Sequence, residues 1–190
     1  LSSKAEEAAF QINQRHGFSV IAHPYSKVSW SWGKNHPYSG MEIINADSLF
    51  KSSFPRIIPA LPFLLFKPEI TALKMLHSPH ANLMKWDDMN RKQSFYGYYA
   101  TDAHMFYKTL FPLLRLHVPL NQELASDFQT AADQIYSALA QGHFYNGIDG
   151  AADTSGFRFW GESDNRKIPM GASGKWTPST WLYVQLPPFQ

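Results

Sequence analysis

Residues 98–104 read Tyr-Tyr-Ala-Thr-Asp-Ala-His, an apolar, strand-like run that ends in a carboxylate and an imidazole two residues apart. Because side chains alternate between faces along a strand, Asp102 and His104 point the same way and could bind one ion. A second apolar run, Phe-Ser-Val-Ile-Ala at residues 18–22, also ends in a histidine, His23. Three potential metal ligands therefore stand at the ends of two predicted strands.

The predicted elements alternate between helices and short strands. We expect helices at residues 2–16, 67–76, 83–92 and 129–141, and strands at 18–22, 40–45, 95–101 and 144–148. Short strands separated by long connections favour a parallel sheet. The pattern predicts an α/β fold.

The composition changes near residues 147–156. Beyond this point, strand-like runs at 157–160 and 181–186 flank a stretch rich in Gly, Ser and Pro, and no helix is predicted. Two strands cannot form an independently stable sandwich. We therefore expect a main domain at residues 1–150 and a β-rich segment at residues 151–190 that is the start of a truncated β module.

Composition and charge exclude several classes of partner and site. The 17 basic and 15 acidic residues of this 190-residue chain nearly balance, so charge does not indicate nucleic acid. With no cysteine, a metal site must use His, Asp and Glu. The longest apolar stretch, residues 57–66, contains two prolines and is too short for a membrane span. The chain starts with Leu1 and shows no targeting peptide, so we expect a processed or truncated start, and the compartment stays open.

Further residues could join the three ligands, because ligands collect beyond the carboxyl ends of parallel strands. Glu42 and Asn45 lie in and at the end of the intervening strand, although Glu42 could also face a helix or solvent. His36, in an aromatic loop, could contact substrate or be polar surface. We predict that these three residues contact substrate or support the ligands. Nitrogen and carboxylate ligands together suit a divalent Zn, Mn or Fe ion, which polarises a phosphoryl or carbonyl oxygen and lowers the pKa of water.

Four blocks of sequence, taken in order, resemble the second half of the PHP (polymerase and histidinol phosphatase) superfamily. They are Val-Ile-Ala-His-Pro at 20–24, Gly-Met-Glu-Ile-Ile-Asn at 40–45, Lys-Trp-Asp at 85–87 and Ala-Thr-Asp-Ala-His at 100–104. The chain is most similar to the metal-dependent phosphoesterase branch that includes carbaryl-hydrolase-like proteins. Residues 136–145 and 156–159 resemble the junction between the barrel of that branch and its β-rich C-terminal segment.

The resemblance implies a distorted βα barrel with two or three divalent ions, and hydrolysis of a small-molecule phosphate ester or related bond by metal-activated water. It assigns His23, Asp102 and His104 as metal ligands. The family also has an opening His-x-His motif, an Asp-His turn and a ligand Glu, and nothing before His23 matches them. We therefore expect the C-terminal portion of a longer hydrolase: a partial barrel, inactive by itself, that self-associates through an exposed sheet edge.

Two alternatives stay open. The chain could be a non-catalytic module that binds a ligand or partner through the aromatic loop at residues 25–38 and the β-rich segment, with a vestigial metal site. It could also be a structural domain in which the His and Asp side chains hydrogen-bond one another.

Overall fold

The computed structural model describes residues 2–15, 17–24, 37–104 and 107–188, and these form two compact units. Over its described residues, the first unit comprises Leu1–Arg115 with Asp149–Ala151, and the second comprises Leu116–Ile148 with Ala152–Gln190. The prediction that residues 1–150 belong to a hydrolase domain and residues 151–190 to a separate β module is not tested by this division and stays a prediction.

A three-stranded parallel sheet is the centre of the first unit. Its strands are β1 (Val20–Ile21), β2 (Gly40–Asn45) and β3 (Tyr96–Ala100), in the spatial order β1-β2-β3. Buried apolar side chains from all three strands form the core, among them Ile21, Met41 and Tyr98. The predicted mixed α/β character and parallel pairing are confirmed. The described residues form no closed barrel.

Helices precede, follow and separate these strands. They are α1 (Ser2–Gln14), α2 (Ala46–Ile57), α3 (Pro68–Met75), α4 (His80–Asn90) and the short α5 (Tyr107–Leu110). Helix α4 is bound to the sheet region by two side chains: Asn82 donates to the Ile43 carbonyl at 2.7 Å, and Trp86 donates to the Phe95 carbonyl at 2.8 Å. The predicted helices at 2–16, 67–76 and 83–92 are confirmed to within a few residues.

The sequence did not predict α2 or the 3₁₀ helix that follows it, Ile58–Leu65. Both elements contain a proline, Pro55 in α2 and Pro62 in the 3₁₀ helix. Proline normally interrupts helical hydrogen bonding, so the sequence argued against helices at these positions. The apolar stretch at 57–66 thus belongs to these two elements. None of the described helices is long and apolar enough to cross a membrane.

The second unit contains the predicted helix near residues 129–141, now α6 (Phe128–Ala140). Strand β4 (Arg115–His117) pairs with β5 (Tyr145–Gly147) in a two-stranded sheet. A separate antiparallel sheet has the order β7-β6-β8, formed by β6 (Arg158–Ser163), β7 (Arg166–Pro169) and β8 (Trp181–Gln185). Strand β7 was not predicted. It follows β6 through a tight turn whose two residues, Asp164 and Asn165, both have positive φ, as hairpin turns require.

Candidate metal centre

The polar residues that follow the three parallel strands lie at one edge of the sheet. His23 comes two residues after β1, and Asp102 comes two residues after β3. Asp47 lies in the first turn of α2, which begins directly after β2. Because the carboxyl ends of parallel strands meet at the same edge, these three side chains converge although they are far apart in the sequence.

Asp102 lies at the middle of the resulting cluster. Its Oδ2 atom is 3.3 Å from Nε2 of His23, and its Oδ1 atom is 3.4 Å from Nε2 of His104. Asp47, Asp102 and His104 each offer a ligand atom within 4.8 Å of the other two, so this group could hold a metal ion. His104 is the most open of these residues, since 74% of its side chain is exposed compared with 23% for Asp102.

The donor types of the cluster are compatible with a bound metal ion. Carboxylate and imidazole ligands suit Zn, Mn and Fe. The ligand atoms of Asp47, Asp102 and His104 are close enough to share one ion, whereas His23 lies outside this group and contacts Asp102. Direct contacts between Asp102 and the histidines also suit the structural alternative. Metal affinity distinguishes the two interpretations.

His23 and Asp102 both adopt the left-handed backbone conformation, with φ of 48° and 45°. Non-glycine residues in this region cost about 1–3 kcal/mol each and are held there by their surroundings. For His23, the backbone N–H donates to Oε2 of Glu42 at 2.9 Å. This strained geometry turns the chain sharply at the ends of β1 and β3, where the cluster lies.

Glu42 and Asn45 form hydrogen bonds that position the residues of the cluster. The same Oε2 atom of Glu42 accepts a second hydrogen bond, from the side-chain amide of Asn45 at 2.9 Å. The buried Asn45 in turn caps α2 by accepting from the Ser48 N–H at 2.9 Å. Glu42 therefore faces the site, and it connects His23 to the start of the helix that carries Asp47.

The two ring nitrogens of His23 face different partners. Nε2 faces Asp102, whereas Nδ1 lies 3.5 Å from the Ser48 hydroxyl and 3.9 Å from Oε2 of Glu42. Metal-bound histidines are commonly oriented in this way, with the second nitrogen directed at a polar group. Two of the three tyrosines of β3, Tyr98 and Tyr99, are neutral phenols, because burial raises the pKa of both.

Sequence reasoning missed Asp47 and its neighbour Lys51, whose ammonium group bonds the Asp47 carboxylate. A usable signal was present: Asn45 is a favoured N-cap residue, and the acidic Asp47 follows it where the first helical turn would lie. Recognising that start would have put Asp47 at the carboxyl edge of the sheet. The predicted residue His36 and most of the aromatic loop at 25–38 lie outside the described residues.

No protein-family model, curated protein or solved structure matches this chain. Any function proposed for the chain therefore depends on the geometry of the centre and on the sequence resemblance to the PHP superfamily.

Proposed function

We propose that this chain supplies part of the metal centre of a PHP-type metal-dependent hydrolase, and that the substrate is a small-molecule phosphate ester or a related compound. The observation that supports the proposal best is the convergence of His23, Asp102 and His104 at the carboxyl edge of a parallel sheet. Asp47 is a further ligand that the sequence did not indicate. In this proposal, the parallel sheet and its helices are part of a distorted βα barrel.

The ligands proposed for one divalent Zn, Mn or Fe ion are Asp47, Asp102 and His104. His23, the third ligand that the resemblance implies, lies outside this group and contacts it through Asp102. Such an ion polarises a phosphoryl oxygen and lowers the pKa of water. In this proposal, the protein side chains orient the ligands and neutralise charge at the site. Asp102 presents one oxygen to each histidine, and Glu42 accepts a hydrogen bond from the His23 backbone N–H. The exposed side of His104 leaves room for substrate to approach.

Metal content tests the centre directly. The purified chain, loaded with Mn²⁺ or Zn²⁺ and dialysed, is analysed for bound metal beside the variants Asp102→Ala and His104→Ala. We expect the wild-type chain to retain metal and both variants to lose it. Asp88→Ala and His80→Ala are matched controls, since these side chains are outside the cluster, and they should behave as the wild type. Equal metal content in all five proteins would contradict the proposal.

Hydrolysis is a separate measurement. The sequence contains neither a His-x-His nor an Asp-His motif. The resemblance implies that metal ligands of the family come from these motifs, so the chain lacks those ligands. We therefore expect little turnover of a generic phosphate monoester by the chain alone, even with metal bound. Robust metal-dependent turnover would contradict this expectation of inactivity and would leave the metal centre intact.

Ligand binding without catalysis is a second candidate function, supported by a pocket in the second unit. Its volume is about 180 Å³, and Phe159, Trp160, Trp176 and Lys175 contribute to its lining. Small-molecule sites combine aromatic walls with a few polar groups in the same way, but they usually have volumes of roughly 300–1,000 Å³, so this pocket suits only a small ligand. If the Asp102 and His104 variants keep the metal content of the wild type, the catalytic candidate is removed and this one remains.

A further inference from the structure

One cation of the chain already occupies a carboxylate of the metal centre. The Lys51 ammonium group donates a hydrogen bond to Oδ2 of Asp47, four residues earlier on α2. Residues four apart lie on the same face of a helix, so this pairing needs no distortion. Asp47 also belongs to the group that could hold a metal ion with Asp102 and His104.

The exposure of the two partners indicates the direction from which the ammonium approaches. The Asp47 side chain is 20% exposed and the Lys51 side chain is 70% exposed. The lysine therefore extends from solvent onto a carboxylate that is itself mostly shielded from solvent. A divalent cation at Asp47 would lie close to this ammonium, and like charges repel at such distances.

We propose that Lys51 is the resident counter-ion of the centre, whose ammonium group neutralises Asp47 and competes with a divalent cation for that carboxylate. This inference rests on the metal binding in the proposed function. Binding of a cation at Asp47 then includes the displacement of the Lys51 ammonium. Removing the ammonium removes that competition, so metal affinity increases.

The chain contains a matched ion pair outside the cluster. On α4, Lys92 bonds Asp88 at 3.0 Å with the same residue types and the same spacing of four. Asp88 does not belong to the group that could hold a metal. Losing the Lys92 ammonium changes the net charge by the same amount without affecting the centre.

The test is a Mn²⁺ titration of the full chain, with free Mn²⁺ followed by electron paramagnetic resonance. Lys51→Met should bind Mn²⁺ more tightly than the wild type by roughly two- to fivefold, the range expected for an exposed ion pair. Lys51→Gln should give the same increase and provides a second variant should the first fold poorly. Lys51→Arg keeps the charge and should stay close to the wild type, as should Lys92→Met.

A double-mutant cycle with Asp47→Asn identifies the route of the effect. Asp47→Asn alone should weaken Mn²⁺ binding, and adding Lys51→Met to it should produce no increase, because the contested carboxylate is gone. The same increase in both backgrounds, or an increase for Lys92→Met, would show a general charge effect and overturn the inference.

The outcomes separate this inference from the proposed function. If the wild type and Lys51→Met bind Mn²⁺ equally, the counter-ion role is wrong while the metal centre stands. If only Lys51→Met binds Mn²⁺, the counter-ion role is supported in its strongest form. If no variant binds Mn²⁺, both proposals are wrong.

Discussion

At the level of single residues, Glu42 connects the parts of the candidate centre. One of its oxygens accepts from the His23 backbone and from the Asn45 side chain, so two otherwise separate elements depend on the same carboxylate. Partners that orient metal-binding histidines typically influence affinity by ten- to a hundredfold. Glu42 is thus a positioning residue whose loss should affect both folding and metal binding.

Glu42→Ala tests this role. The substitution leaves two donors without their acceptor, so we expect the free energy of unfolding to fall by about 1–3 kcal/mol. Mn²⁺ affinity should fall about tenfold, since the orientation of His23 is lost. Glu42→Gln keeps an acceptor oxygen and should show smaller losses of both. Urea denaturation and Mn²⁺ titration are the measurements; equal behaviour of the alanine variant and the wild type would contradict the role.

The location of the cluster could be predicted only where its ligands follow recognisable strands. Parallel pairing was enough to predict that His23 and Asp102 lie at one edge of the sheet. The strand alternation expected to align Asp102 with His104 was wrong, because β3 ends at Ala100 and Asp102 has a positive φ. Asp47 was not predicted, because its position depends on where α2 begins. The proline inside that helix argued against a helix there. The left-handed conformation of His23 is supported by a long-range hydrogen bond, from its backbone N–H to Glu42, that the sequence around His23 does not predict.

At the level of elements, β2, β3 and α4 pack closely around Gly97. The pairing register of β2 with β3 shifts between Glu42 and Ile44, and the Ile43 carbonyl accepts from Asn82 of α4. A Cβ atom at Gly97 would lie 2.6 Å from Ile43 Cγ1 and 3.4 Å from Trp86 Nε1. Even one methyl group would therefore displace buried neighbours.

Gly97→Ala should consequently lower the free energy of unfolding by about 1–3 kcal/mol, the usual cost of overpacking a core. Gly161→Ala is the matched control, because a Cβ atom there would meet its nearest neighbour at 3.6 Å, an ordinary contact. The control should lie within about 0.5 kcal/mol of the wild type. Thermal and urea denaturation give both values, and equal destabilisation by the two substitutions would refute the packing argument.

Helix α6 offers a pH-dependent prediction. The Thr130 N–H donates to the Asp127 cap at 2.9 Å, and this hydrogen bond lowers the pKa of the Asp127 carboxyl. A lowered pKa contributes stability above the pKa of the unfolded chain, and the contribution is lost as pH falls through the folded value. The midpoint of thermal unfolding should therefore drop more steeply on acidification in the wild type than in Asp127→Asn, whose cap does not titrate. Parallel curves for the two proteins would contradict this assignment.

At the level of the whole molecule, β8 is an edge strand among the described residues, and all five of its residues are exposed. Its exposed apolar side chains include Trp181, Leu182 and Val184, and the strand has no charged residue. Exposed apolar edge strands pair readily with other chains. We expected self-association through the edge of the partial barrel; β8 belongs to a different sheet and is a second edge at which we expect two copies to pair.

Val184→Lys should reduce self-association, because a lysine on an edge strand opposes pairing with another copy. Phe128→Lys is the control: it adds the same charge at an aromatic residue on α6 that is also exposed. Sedimentation velocity over a range of concentrations measures both. Association that is unchanged by Val184→Lys, or equally reduced by the control, would show that β8 is not the contact.

The left-handed turns at His23 and Asp102 also limit which sequences this architecture tolerates. Asn, Asp, His and Gly enter that region of backbone space most easily, whereas β-branched residues are nearly excluded from it. Homologues that retain the two turns should therefore draw both positions from this short set, even in lineages that have lost the chemistry. The backbone conformation alone thus restricts both positions to a few residue types, and these include His and Asp, which are common metal ligands.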